Sequence, residues 1–277
     1  MCVLVTGVTG QVGYEVVEEL KIRNIPVIAA SHNEMDITSV ESIKKFIESK
    51  EIKVVIHCAA YTAVDLAEVE SDTCFKVNVD GTKNLADVCK ERNALFIFIS
   101  TDYVFDGTKQ GIYTEEDITN PINAYGRSKQ EAEGIIKKSL DKFFIVRTSW
   151  IFGKNGKNFV NTIRRIATAN QQIKVVQDQV GSPTYAKDLA KVLCDLINCR
   201  QYGIYHVTNR GFCSWYEFAL EIVRRSGLST EVIPINSNEY TTKAKRPENS
   251  KMSDGKISKI QVHEMPNWKI ALDDYLK

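Results

Sequence analysis

The chain has 277 residues, enough to bury a large core as one α/β unit or as a main domain with a smaller lobe. Its 36 basic and 35 acidic residues leave a formal net charge of +1, so nothing in the balance calls for nucleic acid or an anionic membrane as partner. Seven cysteines without paired spacing and four scattered histidines argue against a disulfide framework and a metal site, and no apolar run reaches the roughly 20 residues of a membrane span.

Short β-branched runs alternate with amphipathic stretches from the start. Val3 to Thr6 reads as a strand, and Gly10 to Arg23 as a helix with Val12, Val16, Val17 and Leu20 on one face. Ile25 to Ala30 is a second strand, Thr38 to Lys50 a helix, and Lys53 to Cys58 a third strand. A helical region runs from about Ala67 to Arg92, with a break near Asn78 to Gly81. Leu95 to Ser100 is a fourth strand, too apolar for a solvent face; Asn123 to Lys138 is helical and Phe143 to Arg147 a fifth strand. Fully apolar strands alternating with helices predict a parallel sheet covered on both faces. Beyond Trp150, helices are expected over Lys157 to Asn170, Ala186 to Asn198 and Ser214 to Ser226, with strands at Ile173 to Val176 and Gly203 to Val207. The polar stretch from Pro234 to Ser258 shows little period, and this half reads as part of the sheet plus a small lobe. Cys2 to Thr6 lead straight into a glycine turn with no visible secretory leader, so a cytoplasmic protein with buried free thiols is expected.

The first turn is Thr6-Gly7-Val8-Thr9-Gly10-Gln11-Val12-Gly13. Glycines at 7, 10 and 13 allow a tight turn, close backbone approach to a pyrophosphate and close helix packing. The helix start adds unpaired N–H groups and a positive dipole end. Strand, turn and helix follow in the order that dinucleotide binding needs, so Gly7, Thr9, Gly10, Gln11, Val12 and Gly13 are candidate cofactor contacts. A carboxylate at the end of the second strand would favour NAD, but Ala29-Ala30-Ser31-His32-Asn33 stands there, with none before Glu34. Neutral donors at that point favour NADPH and leave NADH open. Ser31 is either a phosphate contact or a surface turn, and Asp36 reads as a residue opening the following helix. Cys58-Ala59-Ala60-Tyr61-Thr62 closes the third strand, where small residues either admit a ligand or pack under a helix.

Strand four delivers Ser100-Thr101-Asp102 to the same sheet edge, and Tyr125-Gly126-Arg127-Ser128-Lys129 opens the next helix. Tyr and Lys four apart share a helix face, so an ammonium stands beside a phenol. That charge is expected to lower the phenol pKa from about 10 toward neutrality, where it can pass a proton to a carbonyl oxygen. By itself such a pair is an ordinary solvated surface. The glycine turn and the hydroxyl upstream give it meaning.

The glycine spacing and the ordered hydroxyl, Tyr and Lys resemble the extended short-chain dehydrogenase/reductases. Over nearly its whole length the chain is similar to one family of that group, the dTDP-4-dehydrorhamnose reductases. The marks are TGVTGQVG at 6–13, AAYTAVDLAE at 59–68, STDYVFDG at 100–107, NAYGRSKQEAE at 123–133, VRTSWIFGKNGKNFVNT at 146–162, DQVGSPTYAKDLA at 178–190 and KRPENSKM at 245–252. The resemblance implies a Rossmann-type doubly wound parallel sheet with a small C-terminal substrate-binding lobe. Residues 1–150 would bind NADP(H) and carry the catalytic Thr, Tyr and Lys; residues 151–277 would complete the sheet and form the nucleotide-sugar lobe.

It further implies NADPH-dependent reduction at C4 of a dTDP-linked 4-keto sugar, with dTDP-4-dehydro-L-rhamnose first among substrates. Thr101, Tyr125 and Lys129 fall on the catalytic positions, with Lys129 also on the nicotinamide ribose. Asp36 and Ile37 fall near the adenine, and Ala59, Ala60, Tyr61 and Thr62 along the cofactor. Thr101, Asp102, Tyr125, Trp150, Asn158 and Arg246 fall toward the substrate, Trp150 as the indole that stacks on the thymine. Asn78 matches an asparagine that opens a helix and anchors water in the wider superfamily. From the sequence alone Trp150 is equally a core aromatic, and Lys243, Lys245 and Arg246 equally a solvated charge run. Asn249 departs from the family, which often has an aromatic there. Some members dimerise, so a homodimer is open. Two rival expectations are a nucleotide-sugar epimerase or dehydratase that retains NAD, and a non-catalytic subunit like that of methionine adenosyltransferase.

Overall fold

The computed structural model describes residues 2–277. The chain forms β1 (Cys2–Thr6), α1 (Gln11–Ile22), β2 (Val27–Ala30), α2 (Val40–Ile47), β3 (Ile52–His57), α3 (Val64–Ala67), α4 (Ser71–Phe75), α5 (Gly81–Glu91), β4 (Leu95–Thr101), α6 (Ala124–Ser139) and β5 (Phe143–Thr148). It continues with β6 (Ile151–Phe152), α7 (Phe159–Ala169), β7 (Gln172–Val176), β8 (Val180–Gly181), β9 (Thr184–Tyr185), α8 (Ala186–Leu196), β10 (Gly203–His206), β11 (Cys213–Ser214), α9 (Trp215–Arg225), β12 (Glu231–Ile235) and α10 (Trp268–Leu276).

Six strands make one parallel sheet in the order β10-β5-β4-β3-β1-β2. Side chains alternate between its faces. Val3, Val5, Val54, Ile56 and Ile97 meet α1 and α8 on one side, whereas Leu4, Val55, Phe96 and Phe98 meet α2, α5 and α6 on the other. Both faces are dry, which is why the strand sequences carry no polar period. Each fully buried Leu or Phe contributes roughly 1.5–3 kcal/mol. From β1 the chain first adds β2 on one side and then crosses back to add β3 on the other. The β1/β3 gap is therefore the switch point where sheets of this kind open a ligand crevice.

The second half divides its work. β10 extends the main sheet beside β5 and α8 packs on α1. A separate apolar core gathers α7, α9, α10 and the parallel pair β7–β12, with Phe152, Ile163, Phe218, Ile222, Trp268 and Leu272 buried in it.

The two-residue strands β6, β8, β9 and β11, and the longer elements β12 and α10, were not expected from the sequence. β12 lies partly in the stretch that reads as aperiodic, because Pro234 interrupts the strand pattern and only one neighbour, β7, fixes it. α10 is short and owes its stability to Trp268, Ala271 and Leu272 entering the second core rather than to a long pattern. The break expected in the long helical region is present as a π-helical turn, Lys76–Asp80, between α4 and α5.

Candidate functional site

The β1–α1 turn is built so that only glycine fits. Gly7 has φ +68°, and a Cβ there would lie 2.6 Å from the Ala59 amide nitrogen. A Cβ on Gly13 would stand 2.3 Å from the Gly7 carbonyl oxygen. α1 starts at Gly10 with no side-chain cap and no acidic residue in its first turn, so its N–H groups face outward with the positive dipole end unopposed. Asn155 Nδ2 donates to the Thr9 carbonyl (2.8 Å), which lays the loop after β6 against this turn.

A buried chain of hydrogen bonds fixes the ends of β1 and β3. The Thr82 hydroxyl donates to the Asn78 carbonyl, so it accepts from His57 Nε2 at 3.2 Å. His57 Nδ1 therefore accepts from the Thr6 hydroxyl (2.8 Å), which in turn accepts from the Ala59 amide. Burial, with Lys129 nearby, depresses the His57 pKa to about 3, consistent with a neutral ring. This pair was not singled out from the sequence; sheet register makes Thr6 and His57 direct partners across β1 and β3.

A cleft of about 590 Å³ runs along the carboxyl ends of β1 to β5. Of the residues singled out in the sequence, Gly7, Thr9, Gly10, Gln11, Val12, Gly13, Asp36, Ile37, Ala59, Ala60, Thr62, Thr101, Asp102, Tyr125, Lys129 and Trp150 line it. The glycine turn and the Thr101–Tyr125–Lys129 group thus face one cavity. Gln11 Oε1 and Thr148 Oγ1 are buried polar atoms without protein partners among these lining residues. The glycine-limited turn, free helix amides and these two oxygens fit an extended, diphosphate-containing dinucleotide.

Four expected contacts stand off the cleft. Tyr61 is anchored through its backbone to Asn78 and through its hydroxyl to Glu70. Ser31 is engaged by Glu34 at both its amide and its hydroxyl. Asn158 caps α7, accepting from the Asn161 amide at 2.9 Å and donating to the Gly153 carbonyl. Arg246 pairs with Asp65 at 2.6 Å, holding the C-terminal loop to α3. Asn78 lies in the π-helical turn ahead of α5, where its side-chain amide bridges Tyr61 and Ser128 and its carbonyl accepts from Thr82. Asn249, in place of an aromatic, ties down the 109–111 loop through the Lys109 and Gly111 carbonyls.

At the chemical end, Thr101 Oγ1 donates to Asp102 Oδ1 at 2.9 Å and accepts from the Tyr103 amide at 3.2 Å. Burial raises the Asp102 carboxyl to about 6, against hydrogen bonds from Ser250 and Thr101. The expected lowering of the Tyr125 pKa is overturned. Burial, first, and then the Asp102 charge push the phenol well above its ordinary value. Lys129 is itself 2% exposed, with Nζ 3.8 Å over the Phe98 ring, and burial drops its pKa to about 7. Glu133, which opposes that fall, is committed to Arg147 and Ser100.

Trp150 has φ +50°, a conformation costly for a bulky residue, by roughly 1–3 kcal/mol. Its indole stacks on Trp215 with centroids 3.6 Å apart and lies against the Gly181 backbone, where a Cβ would come within 2.8 Å. Trp215 thus covers one face of the ring that the family resemblance assigned to the thymine. No periodicity or motif in the sequence marked Trp215; only the second core brings it there. Among the described residues, no cluster of His, Cys, Asp or Glu could hold a metal ion, and no helix is long and apolar enough to cross a membrane.

Residues 1–277 match the family described as RmlD substrate binding domain. Two curated relatives are each 39% identical: the spore coat polysaccharide biosynthesis protein SpsK of Bacillus subtilis, covering 99% of this chain and 96% of that protein, and a dTDP-4-dehydrorhamnose reductase of Aggregatibacter actinomycetemcomitans, covering 97% and 96%. The solved dTDP-4-dehydrorhamnose reductase of Clostridium acetobutylicum superposes with a TM-score of 0.97 at 41% identity, over 100% of this chain and 98% of that one. That of Bacillus anthracis, solved in complex with NADP, gives 0.96 at 38% identity, over 99% and 98%.

Proposed function

The chain belongs to the dTDP-4-dehydrorhamnose reductase family, and from that premise we propose that it reduces the C4 ketone of dTDP-4-dehydro-L-rhamnose with NADPH, giving dTDP-L-rhamnose. The observation that carries this reading is the shared cleft, in which a glycine turn suited to a dinucleotide faces a hydroxyl, a phenol and a buried amine.

NADPH supplies the hydride when bound. The turn at Gly7, Gly10 and Gly13, with the first amides of α1, holds its diphosphate; Asp36 and Ile37 flank the adenosine, and Ala59, Ala60 and Thr62 border its path. Tyr125 gives its phenolic proton to the oxygen that becomes the C4 hydroxyl. A raised phenol pKa suits that duty, because the proton is present until the oxygen becomes basic enough to take it. Thr101 donates its hydroxyl proton, held on Asp102 at 2.9 Å in the free site, to the same oxygen once the ketone is in place. Lys129 contacts the nicotinamide ribose, and Trp150, braced by Trp215, bounds the space for the base. We assign cofactor binding and proton delivery to residues 1–150. Residues 151–277 complete the sheet and supply the lobe for the nucleotide sugar.

The test follows NADPH oxidation with dTDP-4-dehydrorhamnose and with a UDP-linked 4-keto sugar. Turnover with the dTDP substrate, and a Tyr125→Phe variant slowed at least about a hundredfold in kcat, are expected. No oxidation of NADPH with the dTDP substrate would refute the reading; near-normal turnover by Tyr125→Phe would remove the proton-donor assignment.

A further inference from the structure

Where β2 ends, the chain turns back on itself at Ser31. The amides of Glu34 and Met35 both donate to the Ser31 carbonyl, at 3.1 and 3.0 Å. One carboxylate oxygen of Glu34 then accepts from the Ser31 amide (2.9 Å) and the Ser31 hydroxyl (2.6 Å). Glu34 is exposed, and the two Ser31 bonds hold its carboxyl below the usual range. Ala30 and His32, on either side of Ser31, line the cleft together with Asp36 and Thr38. In a sheet of this topology, the adenosine ribose lies at this strand end.

NADPH differs from NADH by one phosphate on that ribose, an anion that needs donors and suffers beside a carboxylate. No Lys or Arg stands between Arg23 and Lys44. The donors at this turn are neutral, Ser31 beside the exposed His32 and Asn33, and Glu34 already engages both the amide and the hydroxyl of Ser31. We infer that Glu34 sets the cofactor preference of this chain, competing with the 2′-phosphate of NADPH for the Ser31 amide and hydroxyl while leaving the 2′-hydroxyl of NADH unopposed. This rests on the reductase reading above. Because Glu34 is exposed, it can swing into solvent to admit NADPH. It then gives up two hydrogen bonds and remains a like charge close to the phosphate, so NADPH binds below the affinity its extra phosphate could confer. A carboxylate that arrives four residues after the strand's last residue does the work usually read at the strand end itself.

Calorimetric dissociation constants for NADPH and NADH test the inference on the unmodified protein and on Glu34→Gln, Glu34→Ala and Ser31→Ala. Both Glu34 variants are expected to raise the NADH-to-NADPH ratio of dissociation constants about tenfold, and the gain should shrink at high salt. Ser31→Ala is expected to move the ratio the other way, by removing a donor that the phosphate uses. A ratio that stays within about twofold in both Glu34 variants overturns the inference. So does parallel weakening of both cofactors in Glu34→Ala, which would make Glu34 a staple of the turn and nothing more. If the unmodified protein binds neither dinucleotide, the reductase reading falls, and this inference with it.

Discussion

Replacing Glu133 by Gln should destabilise this protein more than any surface charge change, because Glu133 compensates a buried guanidinium. Arg147 and Glu133 are 2% and 1% exposed. Arg147 Nε and Nη2 donate to the two carboxylate oxygens at 2.9 and 2.7 Å, and Ser100 donates to the same carboxylate at 2.6 Å. Arg147 Nη1 has no protein partner, so the guanidinium leans on Glu133 for its charge compensation. Removing one member of such a pair leaves the other charged in a dry interior, at about 3–5 kcal/mol. That is a large share of a typical total stability of about 5–15 kcal/mol. Glu133 also stands one turn beyond Lys129 on α6, so the loss reaches the cleft. Urea unfolding should show a lower midpoint at unchanged slope, and the melting temperature should drop by roughly 6 °C or more. The double change Glu133→Leu with Arg147→Met should recover most of the loss, since it leaves no orphan charge. A cost under about 1 kcal/mol for Glu133→Gln, or a double variant worse than the single, would refute the reasoning.

Acid should weaken the fold through His57 and His206. Burial depresses each to about 3, so the unfolded chain takes up protons first as pH falls below 6.5, and stability is lost from there down to 3. At pH 5 each contributes about 2 kcal/mol of loss, and Asp102, held up at about 6, returns about 1 kcal/mol by protonating first in the folded state. Urea titrations at pH 7 and pH 5 measure the difference, and His206→Phe should remove close to half of the histidine part; an unchanged difference would contradict the assignment. Trp215→Ala withdraws the ring stacked 3.6 Å from Trp150 and should raise KM for the dTDP sugar several-fold with little change in NADPH affinity. Equal loss of both in steady-state kinetics would mean a general collapse of the lobe. Gly13→Ala puts a methyl 2.3 Å from the Gly7 carbonyl oxygen and should weaken NADPH binding more than tenfold by calorimetry; wild-type affinity would show that the turn can shift to make room.

The elements most legible in the sequence were those with a strong local period or a mandatory residue. Val3, Leu4 and Val5 divide between the two faces of a dry sheet, so a parallel α/β fold followed from apolar strands separated by amphipathic helices. Gly7 and Gly13 could be singled out because no other side chain fits where the backbone folds so closely on itself. Where long-range packing decides, the pattern fell short. Arg246, read as a substrate contact or part of a solvated charge run, is paired with Asp65, more than a hundred positions away in the chain. Asn158 looked like a ligand contact and caps a helix, a role that its position just before Phe159 could have suggested. The tuning of Tyr125 went the other way from the helix-face argument, because that argument assumed water around the pair. Burial costs the ammonium of Lys129 and the phenolate of Tyr125 alike, and Asp102 adds to the phenolate's cost.

By itself, then, the sequence determined which backbone can form and in what order: a strand, a glycine turn and a helix, then a hydroxyl at a strand end and a phenol and an amine one turn apart on the next helix. Local sterics and period carry that information, and both are written in neighbouring residues. Only the tertiary structure decided that Trp215 backs Trp150, that Asp65 holds Arg246, that Glu34 reaches back to Ser31, and how charge is distributed around Tyr125. Each of these depends on burial or on side-chain geometry, which the order of residues does not contain.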